Sequence, residues 1–377
     1  MTHVYLDWNA TAQLRPEAQA AMTAALGVTG NPSSVHAAGR AARHLIETAR
    51  EQVAAMVGTS PREVVFTSGG TEANMLALSP SLGDTLLVSA IEHPSVKCGG
   101  QFAAVEEIPV TAAGIVDLAL LGRMLASRSR PLVSLMLANN ETGVVQPVAE
   151  AAALVHGAGG LLHVDAVQGP GRIECHFAAL GADLMTLSSH KIGGPQGVGA
   201  LIRREGLALP PLFKGGGQER GARAGTENVA GIAGFGAAAA AVQSGWRDEA
   251  TRVQVLRNKF EQGIREISPK AVIFGEASQR LPNTTLVSLA GMKAETAVIA
   301  FDLAGVAVSS GAACSSGKVS PSHVLAAMGV APELARGAIR VSLGYATTDG
   351  DVGTILNAWA KLAERLYKAG NPDEIAA

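Results

Sequence analysis

DLMTLSSHKIGGPQGVGAL, residues 183–201, opens as an apolar run (Leu184, Met185, Leu187). It passes through Ser188, Ser189, His190 and Lys191 and then breaks on Gly193, Gly194, Pro195, Gly197 and Gly199. The pattern predicts a buried strand that delivers a lysine at its carboxyl end. Burial disfavours the ammonium form, so such an amine becomes usable as a nucleophile or Schiff-base partner. A surface lysine at a strand end is the plain alternative, and the neighbouring segments decide between the two.

Upstream, the same strand-then-polar pattern recurs. Residues 64–66 run into Ser68, Gly69, Gly70 and Thr71, residues 86–90 into EHPSVK, residues 132–138 into NNETG, and residues 161–164 into DAVQ. With the lysine strand, five apolar strands place Thr71, His93, Asn140, Asp165, Gln168 and Lys191 just beyond their carboxyl ends. In an open α/β sheet that edge is where ligands bind. Glycines at 69–70, followed by a helix, let backbone amides approach an anion, although an ordinary strand-to-helix turn has the same look.

Helices are expected at about 16–26 and 37–57, and residues 200–203 read as an antiparallel or edge strand. GGGQERGARAGTEN, residues 215–228, is a loop whose Arg220, Arg223 and Thr226 could reach an anion or make a dimer contact. An alanine-rich helix from Val229 and a separate polar helix over 248–267 lead to a second α/β lobe. Its strands are expected at 271–274, 284–288, 306–309 and 338–342, with helices at 295–304, 321–328 and 351–368. The domains expected are 15–249 for the large unit, and 1–14 with 250–377 for the small one.

Composition narrows the function classes. With 377 residues, 47% hydrophobic and 16% charged, the chain is globular and large enough for two units. A net charge of −2 offers no electrostatic case for nucleic acid or an anionic membrane as partner. MTHVYLDWNA lacks the features of a secretion signal and residues 231–242 are too short a bland run to cross a bilayer, so a cytoplasmic protein is expected. Three scattered cysteines without CxxC argue against a disulfide framework and against a metal site.

Lys191, Asp165, a Gly70–Thr71 cradle and a histidine able to stack on a ring suit pyridoxal 5′-phosphate. Nucleotide readings do poorly: no GxGxxG follows a strand, and Gly317–Lys318 is followed by Val319. In SSGAACSSGKVSP, residues 309–321, small and polar residues flank Cys314, a setting that favours a reactive thiol over a buried one. Arg340, in the apolar AIRVSLG, needs an anion, either a substrate carboxylate or a structural Asp or Glu.

In order, YLDWNATA, GNPSSVHAAG, FTSGGTEAN, EHPSV, ANNETGVVQP, HVDAVQ, SSHKIGGPQGVGAL, GGGQERGARAGTEN and SSGAACSSG resemble the NifS/IscS-type cysteine desulfurases of the fold-type I, class V aminotransferase superfamily. The resemblance covers almost the whole chain. It implies a large domain with a mostly parallel seven-stranded sheet flanked by helices, plus a smaller C-terminal α/β domain carrying the cysteine loop.

Residue by residue, the resemblance makes Lys191 the cofactor lysine and His93 the residue that stacks on the ring and aids proton transfer. Asp165 pairs with the ring nitrogen and Gln168 with the ring phenolate oxygen. Gly70, Thr71, Ser188 and His190 hold the phosphate with Thr226 from the other subunit of a homodimer, while Asn140 and Arg340 bind the substrate carboxylate. Cys314 takes sulfur from L-cysteine, leaving L-alanine and a persulfide for a sulfur acceptor or iron–sulfur scaffold protein. The SSGAAC setting of Cys314 resembles the long-loop group of these enzymes, and GGGQERGARAGTEN and NNETG are nearer NifS than the housekeeping IscS type, which admits nitrogenase cluster assembly.

Trp8 and Tyr345 depart from the family pattern, which commonly has asparagine and arginine there. The stop at Ala377 leaves open the scaffold contacts that longer relatives make. Rival readings are a selenocysteine lyase or other class V enzyme and, from a different class, a non-catalytic partner in a sulfur-transfer complex.

Overall fold

Apolar strands alternating with helices call for a parallel sheet, because each helical crossover returns the chain to the same edge. The computed structural model describes residues 3–311 and 322–370; Cys314 and Lys318 lie outside the described residues. Its strands in chain order are β1 Val4–Tyr5, β2 Val64–Thr67, β3 Thr85–Ser89, β4 Glu106–Ile108, β5 Pro131–Met136, β6 Leu161–Asp165, β7 Leu184–Ser188, β8 Gly199–Arg203, β9 Val272–Ile273, β10 Thr284–Ser288, β11 Val306–Ala307, β12 Ser309–Ser310 and β13 Ile339–Ser342. Seven form one sheet in the order β2-β8-β7-β6-β5-β3-β4. Only β8 opposes its neighbours. The rest pair in parallel.

Of the two readings of residues 200–203, the structure takes the antiparallel one: β8 lies inside the sheet between β7 and β2, because the glycine turn after Lys191 folds it straight back onto β7. Two other sequence expectations need correction. The expected strand over 306–309 divides: β11 pairs with β1, and β12 with β13. The two helices expected after residue 228 are one, Val229–Ile267. No proline interrupts it, and Gly245 alone costs about 1 kcal/mol, too little to end a packed helix. The change from alanine-rich to polar composition marks a change of surroundings. Residues 231–236 are buried on every side, whereas beyond them Val253, Leu256, Phe260 and Ile264 bury one face. Strand β4, two exposed glutamates followed by the buried Ile108, is too short and polar for sequence pattern to mark.

Two main cores follow from this layout. One lies against the large sheet and includes Phe66, Val133, Val164, Met185 and Phe235. The other packs the sheet β12-β13-β10-β9 against the helices Ala294–Leu303 and Asp349–Gly370, through Val287, Phe301, Val341 and Trp359.

Trp8 and Tyr345 meet each other. Their rings lie edge to face with centroids 5.1 Å apart, and the Arg15 guanidinium covers Tyr345 at 4.4 Å. A Cβ on Gly344 would come within 2.0 Å of the Trp8 ring, so the indole requires that glycine. The two rings form one packing unit.

The glycine and arginine loop is tied down by a buried ion pair. Glu219 accepts from Arg50 Nη1 at 2.7 Å, from Arg50 Nη2 at 2.8 Å and from the Phe66 amide at 2.9 Å. These bonds hold Glu219 and Arg220 in the left-handed region, at φ 46° and 55°. Removing Glu219 leaves the Arg50 guanidinium with only Glu47 at 3.2 Å and the Val64 carbonyl at 2.9 Å, so Glu219→Ala should lower stability by about 1–3 kcal/mol in urea unfolding.

A second prediction concerns His163, which is 0% exposed within β6, with Nδ1 2.8 Å from Ser134 Oγ and Nε2 2.9 Å from Thr186 Oγ1. Burial pushes its pKa down to about 4. The unfolded chain binds that proton from about pH 6.5, the folded chain only near 4, so this contribution is complete above about pH 6.5 and is lost as pH falls toward 4. The urea midpoint should drop across that window, and His163→Gln should flatten the slope.

Candidate active site

The carboxyl ends of β2, β3, β5, β6 and β7 open onto one cavity of about 290 Å³. Gly70, Thr71, His93, Asn140, Asp165, Gln168, Ser188, His190, Lys191 and Arg340 all line it. Strand alternation explains part of this convergence, and the shared parallel direction does the rest.

After β2 the chain enters the helix Gly70–Ala77, whose N-cap is Gly69 and which no side chain caps. Its first-turn amides and positive dipole end therefore suit an anion. Close backbone approach here depends on glycine: a Cβ on Gly199 would sit 2.6 Å from the Gly69 carbonyl carbon, and one on Gly70 would press Val167 Cγ2 at 3.1 Å. Ser188 and His190, at the end of β7, complete this side of the cavity. His190 faces Thr11 Oγ1 at 3.1 Å; burial, with Lys191 and Arg172 nearby, pushes its pKa down to about 4. It is a neutral hydrogen-bonding group at pH 7.

Lys191 leaves the 3₁₀ turn Ser189–Lys191 and donates to the carbonyls of Asn9 at 2.6 Å and Ala10 at 2.8 Å. Asp165 ends β6, 7% exposed, with Oδ2 accepting from Asn74 Nδ2 at 2.9 Å and Oδ1 from the Val167 amide at 3.1 Å. Asn74 also donates to Ser95 Oγ at 2.9 Å, which lies 2.7 Å from His93 Nδ1. With the Ser95 amide also donating to that Nδ1 at 3.2 Å, the neutral ring carries its proton on Nε2. Burial is the largest influence lowering the His93 pKa, and Lys191 and His323 oppose its charging while Asp165 favours it.

Arg340 had two candidate partners, and one is present. Its Nη2 donates to Asp7 Oδ1 at 2.6 Å and its Nη1 to the Asn140 carbonyl at 3.0 Å, so the structural aspartate exists. The residue still lines the cavity, and its buried Nε has no partner among the described residues. Thr226 is exposed on the 215–228 loop and is not brought to the cavity within one chain. The proposed nucleophile Cys314 lies outside the described residues.

Sequence reading missed Asn74, Ser95, Asn9 and Glu92. Asn74 stands one helical turn beyond Gly70, so a helix projection would have aimed it at the same edge. Glu92 is 0% exposed, and burial with the nearby Asp165 raises its pKa well above the carboxylate range. Its Oε1 accepts from the Met136 amide at 2.6 Å. An uncapped helix start, an amine held at the sheet edge and a carboxylate opposite it can hold a phosphorylated ring and move protons beside it. That donor set fits pyridoxal 5′-phosphate.

Similarity to known proteins agrees with this geometry. Residues 4–355 match the family described as Aminotransferase class-V. A protein named cysteine desulfurase from Cereibacter sphaeroides is 42% identical, with 97% of each chain covered. One named cysteine desulfurase IscS from Dictyoglomus turgidum is 40% identical over 96% of this chain and 95% of its own. The crystal structure of a NifS-like protein from Rickettsia africae superposes with a TM-score of 0.89 at 38% identity, covering 97% of this chain and 99% of its own. The chain belongs to the class-V aminotransferase family, in its branch of pyridoxal-phosphate-dependent cysteine desulfurases.

Proposed function

We propose that this protein removes sulfur from L-cysteine to give L-alanine, passes the sulfur to Cys314 as a persulfide, and supplies it to an acceptor for iron–sulfur cluster assembly. The observation that carries this reading is the convergence of Lys191, Asp165, His93, Gln168 and the Gly70–Thr71 helix start on one cavity. Bound pyridoxal phosphate would draw electrons from the substrate Cα.

Lys191 would anchor the cofactor and move the Cα proton at Nζ. Asp165, oriented by Asn74 and the Val167 amide, would hold the proton on the ring nitrogen. His93, neutral and with its Nε2 proton, would cover the ring, and Gly70, Thr71, Ser188 and His190 would hold the phosphate. Asn140 and Arg340 would receive the substrate carboxylate. At Cys314 the substrate C–S bond breaks as an S–S bond forms, the thiol proton is released, and the former Cβ takes up a proton to become a methyl group.

The same proposal includes a homodimer in which the partner subunit contributes its copy of the 215–228 loop, with Thr226, to the phosphate site. It also includes a large domain over 15–249 and a small one over 1–14 with 250–377, and a cytoplasmic location. Among the described residues no helix is long and apolar enough to cross a membrane.

Incubation with L-cysteine and pyridoxal phosphate should yield alanine together with persulfide or, with a thiol reductant, sulfide in equal amount. Cys314→Ser should cut alanine formation by about 100-fold or more while leaving bound cofactor in place. Alanine without sulfide or persulfide, or full activity in Cys314→Ser, would overturn the mechanism. Asn74→Ala, which removes a charge-assisted bond to Asp165, should lower kcat about tenfold with KM little changed.

A further inference from the structure

Gln168 and Arg172 are four residues apart on the segment that leaves β6, and their side chains meet. Arg172 Nη1 donates to the Gln168 carbonyl at 3.0 Å and also to Gln168 Oε1, and its Nη2 reaches the Lys191 carbonyl at 3.4 Å. No carboxylate among the described residues pairs with this guanidinium. Burial, with Arg340 nearby, draws its pKa down to about 10. The side chain is half-buried and its hydrogen bonds among the described residues all go to carbonyl oxygens, so its geometry calls for a reason beyond ion pairing.

The reason lies in the chemistry of the carboxamide. A guanidinium only donates hydrogen bonds, so the Gln168 oxygen must face Arg172 and the amide nitrogen must face the other way. That nitrogen donates one hydrogen to the Asn9 carbonyl at 3.1 Å, and Gln168 lines the cavity, which leaves its second N–H for an acceptor there. The Asn9 carbonyl also receives Lys191 Nζ at 2.6 Å. Arg172, Gln168, Asn9 and Lys191 thus form a closed circuit of hydrogen bonds. If the amide were reversed, its oxygen would confront both the Asn9 carbonyl and any acceptor in the cavity.

We propose that Arg172 is a positioning residue that fixes the Gln168 carboxamide so that its N–H, and not its oxygen, faces the phenolic oxygen of the bound cofactor. This rests on the assignment of Gln168 to that oxygen made above. Arg172 itself touches neither cofactor nor substrate; it acts through Gln168 and through the Lys191 carbonyl.

The test compares the cofactor-loaded wild-type enzyme with Gln168→Ala, Arg172→Met, Arg172→Lys and the double variant Gln168→Ala/Arg172→Met. The readouts are the visible absorbance band of bound pyridoxal phosphate and its dissociation constant by equilibrium dialysis. Arg172→Met should reproduce the band displacement of Gln168→Ala and weaken cofactor binding about tenfold, the loss expected for one hydrogen bond to a charged oxygen. Arg172→Lys keeps a donor-only cation and should retain the wild-type band. The double variant should be no worse than Gln168→Ala, because the two residues act as one unit. Arg172→Gln serves as a second removal of charge should Arg172→Met fail to fold. A wild-type band and affinity in Arg172→Met alongside a displaced band in Gln168→Ala would overturn the role of Arg172 alone. An unchanged band in Gln168→Ala would overturn the assignment of Gln168 and this proposal with it.

Discussion

Asn9 is the point on which the site depends. It is 1% exposed, and its amide donates to Ser342 Oγ at 2.9 Å. Its side chain donates to Thr284 Oγ1 at 2.9 Å and accepts from Asn283 Nδ2 at 3.0 Å. Those three partners belong to the smaller sheet or its approach, whereas the Asn9 carbonyl receives Gln168 and Lys191 from the larger one. One buried residue of the N-terminal segment therefore fixes the amine at the edge of the main sheet relative to β10 and β13. A buried carbonyl or amide left without a partner costs roughly 1–3 kcal/mol, and this is why the whole set holds together.

Burial then decides which groups carry charge. His93, His163 and His190 are all pushed toward the neutral form, mainly by desolvation, and Glu92 toward its protonated form. Of these groups His93 and His190 line the cavity and supply it with neutral donors and acceptors beside two cations. Arg340 shares Asp7 and the Asn140 carbonyl, and Lys191 donates to the carbonyls of Asn9 and Ala10. Such a wall favours an anionic guest.

Much of this was legible because the signals were local. An apolar run ending in glycine or a polar residue marks a strand end whatever packs on it, so Thr71, His93, Asn140, Asp165, Gln168 and Lys191 could be placed at one edge before any contact was known. The uncapped helix start after Gly69 was likewise visible from two adjacent glycines. Asn74 is marked only by its place one helical turn beyond Gly70, and Ser95 and Arg172 carry no comparable mark. Their roles come from bonds to side chains that other segments deliver.

The sequence by itself determined the alternating α/β order, the strands whose ends carry chemistry and the glycines that bring backbones close, because each follows from period and turn chemistry within a few residues. Only the tertiary structure decided that β8 lies inside the sheet, that residues 229–267 form one helix, and that Trp8 and Tyr345 form a single packed pair. It also decided that Arg340 meets Asp7 and that Lys191 is held by Asn9 and Ala10. The pairs Trp8–Tyr345, Asp7–Arg340 and Asn9–Lys191 join residues far apart in the chain, where the geometry of the folded molecule, and not local preference, chooses the partner.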